Sequence, residues 1–168
     1  MKNLFRNLTA VALAQTTVAC LAPMVVEIKP ELADKADEIT QEVFDVVDFL
    51  QETYDLDAKK WELGLKVVIY DGNLGAIECP ANLPDSSKCF IGGLYWHNKN
   101  LVEVGWRKGS CNNSLIHELM HRMSYVKGYG DPFFGEVDRP SPGISHNPLF
   151  HEYTEEAKRL WRKERGCE

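Results

Sequence analysis

The segment 114–121 constrains this chain more than any other, because it carries the pattern His-Glu-x-x-His within a run of helical periodicity. Residues four apart on a helix lie one above the other on the same face. His117 and His121 are therefore predicted to direct two imidazole nitrogens toward one metal ion. Glu118 lies one position further round the helix, where its carboxylate reaches a water molecule on that metal. The pattern predicts a metal site with two histidine ligands and an adjacent general base.

The flanking residues favour a helix over 113–127. Asn112 and Asn113 are suitable N-caps, and Gly128 is a suitable C-terminal stop. One apolar face recurs at helical spacing. Its members are Leu115, Leu119, Met123 and Val126.

A catalytic zinc ion normally takes three protein ligands and one water, so one ligand must come from elsewhere in the chain. His146 is the favoured candidate for a single zinc ion, because it immediately precedes a helix start at Asn147 and Pro148. Glu152 and His151 stay open as alternatives, because a carboxylate also completes sites of this type.

The first residues differ from the rest of the chain. Lys2 and Arg6 precede an uncharged stretch over 7–26 with an apolar centre and small residues near its end, which is typical of a secretory signal peptide. The stretch is too weakly apolar for a membrane span, and an amphipathic first helix is the alternative. We predict a signal peptide over 1–22 and one domain over 23–168.

Cys20 closes a Thr-Val-Ala-Cys sequence that resembles a lipoprotein box and is the candidate lipidation site.

The remaining cysteines also favour export to the cell envelope, the periplasm or the medium. Four remain when Cys20 is set aside, and none has the CxxC spacing of a metal or redox pair. An even number without that spacing favours disulfides in an oxidising compartment. Of the three connectivities, we favour Cys79 with Cys89 and Cys111 with Cys167.

The predicted elements define an α+β domain. A long N-terminal helix, a short antiparallel sheet with a hairpin, the His-Glu-x-x-His helix and a C-terminal helix follow one another. The N-terminal helix is predicted over 30–56 and a strand over 65–70, with hairpin strands over 90–96 and 101–106. The segment 128–145 has four Gly and three Pro and is predicted as a loop.

The net charge and the composition limit the classes of partner that the sequence predicts. The formal net charge of −6 argues against nucleic acid, because binding there depends on clustered Lys and Arg. Hydrophobic content of 44% and charged content of 26% are ordinary for a soluble globular domain. A membrane is expected to be contacted only through an N-terminal lipid or an uncleaved signal, and the expected partner is a peptide or protein substrate.

Two motifs in the chain resemble the SprT-like and related small zincins. That family has His-Glu-x-x-His, an insert, and then His-(Gly/Ser)-x-x-Phe before a closing helix, which segments 114–121 and 146–150 match. A hairpin precedes the first motif both in that family and in the elements predicted for this chain. The resemblance covers roughly residues 65–161. Asn147 stands where the family has Gly or Ser, and the insert is longer. The resemblance implies an exported variant of a zincin metallopeptidase, with His117, His121 and His146 as zinc ligands.

The expected activity is zinc-dependent hydrolysis of peptide bonds. Glu118 would accept a proton from the attacking water and return it to the leaving amine. Two alternatives stay open. One is a non-catalytic exported or lipid-anchored binding protein with the same fold, and the other is a zinc amidase that acts on a non-protein amide such as a cell-wall crosslink.

Overall fold

A computed structural model describes residues 23–77, 89–109, 111–128, 146 and 148–167. These residues form an α+β fold with a four-stranded mixed sheet and four α-helices, as the sequence predicts at the level of fold class. The helices are α1 (Ala36–Thr53), α2 (Ala58–Glu62), α3 (Asn113–Val126) and α4 (Pro148–Arg165). The strands are β1 (Val25–Ile28), β2 (Lys66–Asp71), β3 (Gly75–Ile77), β4 (Cys89–Ile91), β5 (Gly93–Trp96) and β6 (Leu101–Trp106).

The main sheet has the strand order β1-β2-β6-β5. β1 and β6 both run parallel to β2, and only the β5–β6 pair is antiparallel. The prediction of an antiparallel sheet is therefore wrong. The sequence does not predict β1, because the apolar residues of that strand adjoin the stretch interpreted as an export signal. A parallel pair also leaves no turn signal in the sequence, since its strands are joined by long crossovers.

The predicted hairpin is confirmed. β5 and β6 pair antiparallel, with Gly93 opposite Val104 and Trp96 opposite Leu101. A short 3-10 helix, His97–Lys99, turns the chain, and Asn100 follows with a left-handed φ of 49°. β3 and β4 form a separate two-stranded antiparallel sheet ahead of β5. The strand predicted over 90–96 is therefore divided, since residues 90 and 91 belong to β4 and only Gly93–Trp96 belong to the hairpin.

The core lies between the sheet and the helices. α1 follows a 3-10 helix, Pro30–Lys35, and its apolar stripe is buried as its periodicity predicts. Val67 and Ile69 of β2 stand opposite Val102 and Val104 of β6, so these four side chains share one face of the sheet. Burying one such aliphatic side chain stabilises the fold by about 1.5–3 kcal/mol. The α1 and strand members of this core are Ile39, Val43, Val46, Val47, Leu50, Val67, Ile69, Val102 and Val104.

Helix α3 begins and ends near the predicted residues. Asn112 is the N-cap residue, but its φ of 55° is left-handed and its side chain makes no capping bond. Its amide donates instead to Glu42 Oε2, 3.4 Å away, so the predicted capping interaction is wrong. Gly128 ends the helix as predicted, with a φ of 69° and its N–H donating to the Tyr125 carbonyl over 3.0 Å.

Helix α4 packs antiparallel to α3. Phe150 at its start lies beside His121, with ring centroids 4.3 Å apart, while Arg162 near its end donates to Asn113 Oδ1 over 3.3 Å. A disulfide joins Cys111 to Cys167, which confirms the second predicted pairing. The first pairing falls outside the described residues, because 79 is not described and only the backbone of residue 89 is.

Within the described part of the chain, no helix is long and apolar enough to cross a membrane. The signal peptide predicted over 1–22 and the lipidation site at Cys20 lie outside the described residues. Both stay predictions.

Candidate metal centre

Three histidines from two parts of the chain meet in one place. His117 and His121 point from α3, one turn apart, and His146 stands just before α4. One nitrogen from each ring lies within 4.8 Å of the others. The ring centroids are 4.8–5.1 Å apart in all three pairs. The structure therefore brings together the three histidines that the sequence proposes as ligands.

The spacing and the protonation of these rings both fit a metal ion. His121 Nε2 and His146 Nε2 are 3.1 Å apart, and two ligand nitrogens of a tetrahedral zinc lie about 3.3 Å apart, given Zn–N bonds near 2.0–2.1 Å. Burial lowers the pKa of His117 to about 3 and that of His121 to about 2. Both rings are therefore neutral at physiological pH, which is the form that binds a metal.

Phe150 supports the histidines from one side. Its ring stacks on His121 at 4.3 Å and on His146 at 4.8 Å, and meets His117 edge-on at 5.5 Å. Phe150 is only 1% exposed. Because one buried ring contacts all three imidazoles, Phe150 restricts their rotation and gives the site an apolar wall.

The alternative third ligands lie elsewhere. His151 and Glu152 are exposed on α4 and do not belong to the three-histidine group. The ring centroid of His151 is 5.9 Å from that of His146. The predicted loop over 128–145 falls outside the described residues except for Gly128.

Glu118 is buried next to this group. The residue is 7% exposed, and burial raises the pKa of its carboxyl group to about 8. Two neighbours act in the opposite direction, namely the positive charge of Lys158 and a hydrogen bond from the backbone N–H of Tyr95. Glu118 is therefore a carboxyl group whose protonation changes near neutral pH, one helical position away from His117.

Tyr95 is the part of the site that sequence reasoning missed. It lies on β5, and its ring is parallel to that of His121, with centroids 6.4 Å apart and planes 6° apart. Gly93 precedes it on the same face of the strand, directly over Glu118. Residues two apart on a strand share a face, so the sequence Gly-Leu-Tyr could have suggested a Gly/Tyr face. Nothing local in the sequence, however, indicates that this face covers α3.

Strand β5 is an edge of the main sheet among the described residues. The Gly105 N–H donates to the Gly92 carbonyl over 2.8 Å, which makes these two residues a hydrogen-bonded pair. Hydrogen-bonded and non-hydrogen-bonded pairs alternate along an antiparallel ladder. The backbone polar groups of Gly93 and Tyr95 therefore point away from β6, toward the edge.

Comparison of the sequence with protein-family models, with curated proteins and with solved structures found no match. The resemblance to SprT-like zincins accordingly stays a prediction.

Proposed function

We propose that this protein is a zinc-dependent metallopeptidase with His117, His121 and His146 as zinc ligands. One observation carries the proposal: a buried carboxyl group, Glu118, adjoins a cluster of three neutral histidines beside the edge of a sheet. A purely structural zinc site has four protein ligands. Three histidines within reach of one ion leave a coordination position for water or substrate.

Zinc in this site would polarise a substrate carbonyl and acidify a water molecule. The remaining chemistry falls to Glu118. A general base is most effective when its pKa lies near the working pH, and burial brings Glu118 into that range. Glu118 accepts a proton from the attacking water and delivers it to the amine that leaves when the peptide bond breaks.

An extended peptide is the substrate form that the edge strand favours. The backbone N–H and C=O of Gly93 and the C=O of Tyr95 point away from β6 and can pair with a substrate strand, which is the β-augmentation mode of peptide binding. A peptide added along this edge would lie beside Glu118 and the histidines, because Gly93 and Tyr95 contact that part of α3. This geometry favours a peptide over a non-protein amide.

We also propose that the protein acts outside the cytoplasm. The Cys111–Cys167 disulfide supports this, because disulfides persist in oxidising compartments. The uncharged N-terminal segment supports export independently. Lipid attachment at Cys20 is part of this proposal and is tested by mass spectrometry of protein extracted from membranes.

The decisive experiment is cleavage of a peptide library by the zinc-loaded protein, read by mass spectrometry. We expect Glu118→Gln to lower kcat/KM by about 100-fold or more, because general-base catalysis contributes about 10²–10⁴-fold. The zinc content should stay at one per chain. Glu164→Gln, an exposed carboxylate at the end of α4, is the matched control and should keep full activity.

Two outcomes would reject the proposal. Cleavage that persists in Glu118→Gln would belong to a contaminating protease. One zinc per chain without cleavage of any peptide would leave either the non-catalytic binding protein or the amidase, which a screen of non-protein amides separates.

A further inference from the structure

Two consecutive glycines lead the edge strand across α3. A Cβ atom added to Gly92 would lie 2.6 Å from Ser114 Oγ, and one added to Gly93 would lie 2.6 Å from Glu118 Cγ. The Gly93 Cβ would also lie 2.9 Å from Glu118 Oε1. The strand backbone therefore touches α3 at two side chains, four residues apart on one helix face.

The two contacts have different consequences. Ser114 Oγ is the end of its side chain, so a rotation about χ1 removes the contact with a new Cβ. Glu118 Cγ lies between the helix and the carboxylate, so relief of that contact moves the whole carboxylate. A side chain at position 92 is accommodated by a hydroxyl rotation, whereas a side chain at position 93 displaces Glu118.

A backbone donor of β5 acts on Glu118 in this position. The N–H of Tyr95, the next residue on the same face of β5, stabilises the ionised carboxylate and so lowers its pKa. That N–H points away from β6 and therefore has no ladder partner among the described strands. The empty space over Gly93 allows the Glu118 side chain to pass beneath the strand and reach it.

We propose that Gly93 is a positioning residue for Glu118, because its missing side chain leaves the space that holds the carboxylate against the Tyr95 N–H and beside the three histidines. The proposal rests on the proposed function for its catalytic meaning. Its structural content, the dependence of the Glu118–Tyr95 contact on position 93, is testable without zinc or substrate.

The first measurement is the hydrogen-exchange rate and the chemical shift of the Tyr95 amide in the zinc-free protein, by NMR. We expect Glu118→Ala to speed exchange of this amide by about tenfold, because one hydrogen bond is lost. Gly93→Ala should shift the Tyr95 resonance in the same direction and speed its exchange to a similar extent. Gly92→Ala, the matched control, should leave both unchanged.

A double-mutant cycle covers the case in which Gly93→Ala folds poorly. Glu118→Ala removes Cγ, the atom nearest to the added Cβ, so Gly93→Ala should cost much less stability in the Glu118→Ala background than in the wild type. Equal costs in the two backgrounds would show that position 93 does not act through Glu118, and would overturn the proposal.

The last measurement connects position 93 to catalysis. Zinc-loaded Gly93→Ala should bind one zinc per chain and lose at least tenfold in kcat with little change in KM, while Gly92→Ala keeps kcat. An unchanged Tyr95 amide in Gly93→Ala would overturn the positioning role even if the enzyme is active. If Gly93→Ala perturbs the Tyr95 amide but the wild-type protein cleaves no peptide, the metallopeptidase function is rejected and the positioning of Glu118 by residue 93 is retained.

Discussion

His121 Nε2 and His146 Nε2 lie 3.1 Å apart although 25 residues separate them in the chain. The contact joins α3 to the residue that precedes α4. It defines the third member of the candidate metal centre, because His117 and His121 are neighbours on one helix and would meet in any helical arrangement.

We expect one zinc per chain in the wild type and zinc affinity at least about 100-fold weaker in His146→Ala, because the site loses one of three protein ligands. His151→Ala removes an exposed histidine five residues away and is the matched control. Competition against a fluorescent chelator measures both affinities. Equal weakening in the two variants would move the third ligand away from His146.

The stability of the zinc-free protein should fall as the pH rises from 6.5 to 8. The pKa of Glu118 is raised from 4.5 to about 8 in the fold, so the folded state binds more protons than the unfolded state between these values. Linkage then makes stability decrease as pH increases through this range. Urea unfolding at several pH values measures the slope, and Glu118→Gln should flatten it. An unchanged slope in this variant would assign the effect to another group.

Arg122 should be important for stability and neutral for chemistry. It is 6% exposed and donates to the carbonyl of Lys60 at 2.8 Å and that of Trp61 at 3.4 Å. Arg122→Ala leaves these partners unsatisfied and should cost about 2–3 kcal/mol. Lys127 also extends from the α3 end to a carbonyl, that of Asp55, but it is exposed, so Lys127→Ala should stay within about 0.5 kcal/mol. Urea unfolding compares the two variants.

The disulfide should stabilise the domain through the unfolded state. Cys111 and Cys167 are 56 residues apart, and closing a loop of this length contributes about 4 kcal/mol in the chain-entropy model. The Cys111→Ser/Cys167→Ser variant should therefore unfold at a lower urea concentration than the wild type. Adding reductant to the wild type should reproduce the shift. Identical midpoints in oxidised and reduced protein would contradict this expectation.

The local parts of the site could be predicted from the sequence. The spacing of His117, Glu118 and His121 needs only a helix, and the helix signals around 113–127 are strong. A helix start at Pro148 favours His146 as the third ligand, because it fixes the residue before it. The even count of cysteines predicts disulfides, but it leaves three connectivities, of which the one containing Cys111–Cys167 is favoured.

The non-local parts could not be predicted. Gly93 and Tyr95 reach the site through the register of β5 on β6 and the packing of the sheet on α3, and neither is encoded in a short segment. The parallel partners of β2 are likewise about 35–40 residues away along the chain, as the pairing of Lys66 with Val25 and Leu101 shows. The contact of the Asn112 side chain with Glu42 on α1, which takes the place of a capping bond, also depends on residues 70 apart in the chain.

The antiparallel pair of α3 and α4 is joined at both ends, by the Cys111–Cys167 disulfide at one end and by the histidines at the other. The covalent link confines His146 and the two histidines of α3 to one closed loop in the unfolded ensemble, and so raises the effective concentration of His146 near them. Disulfide formation and binding of the proposed zinc ion are therefore expected to favour each other. An oxidised chain is expected to assemble the proposed centre at lower entropic cost than a reduced chain, and so to need less zinc.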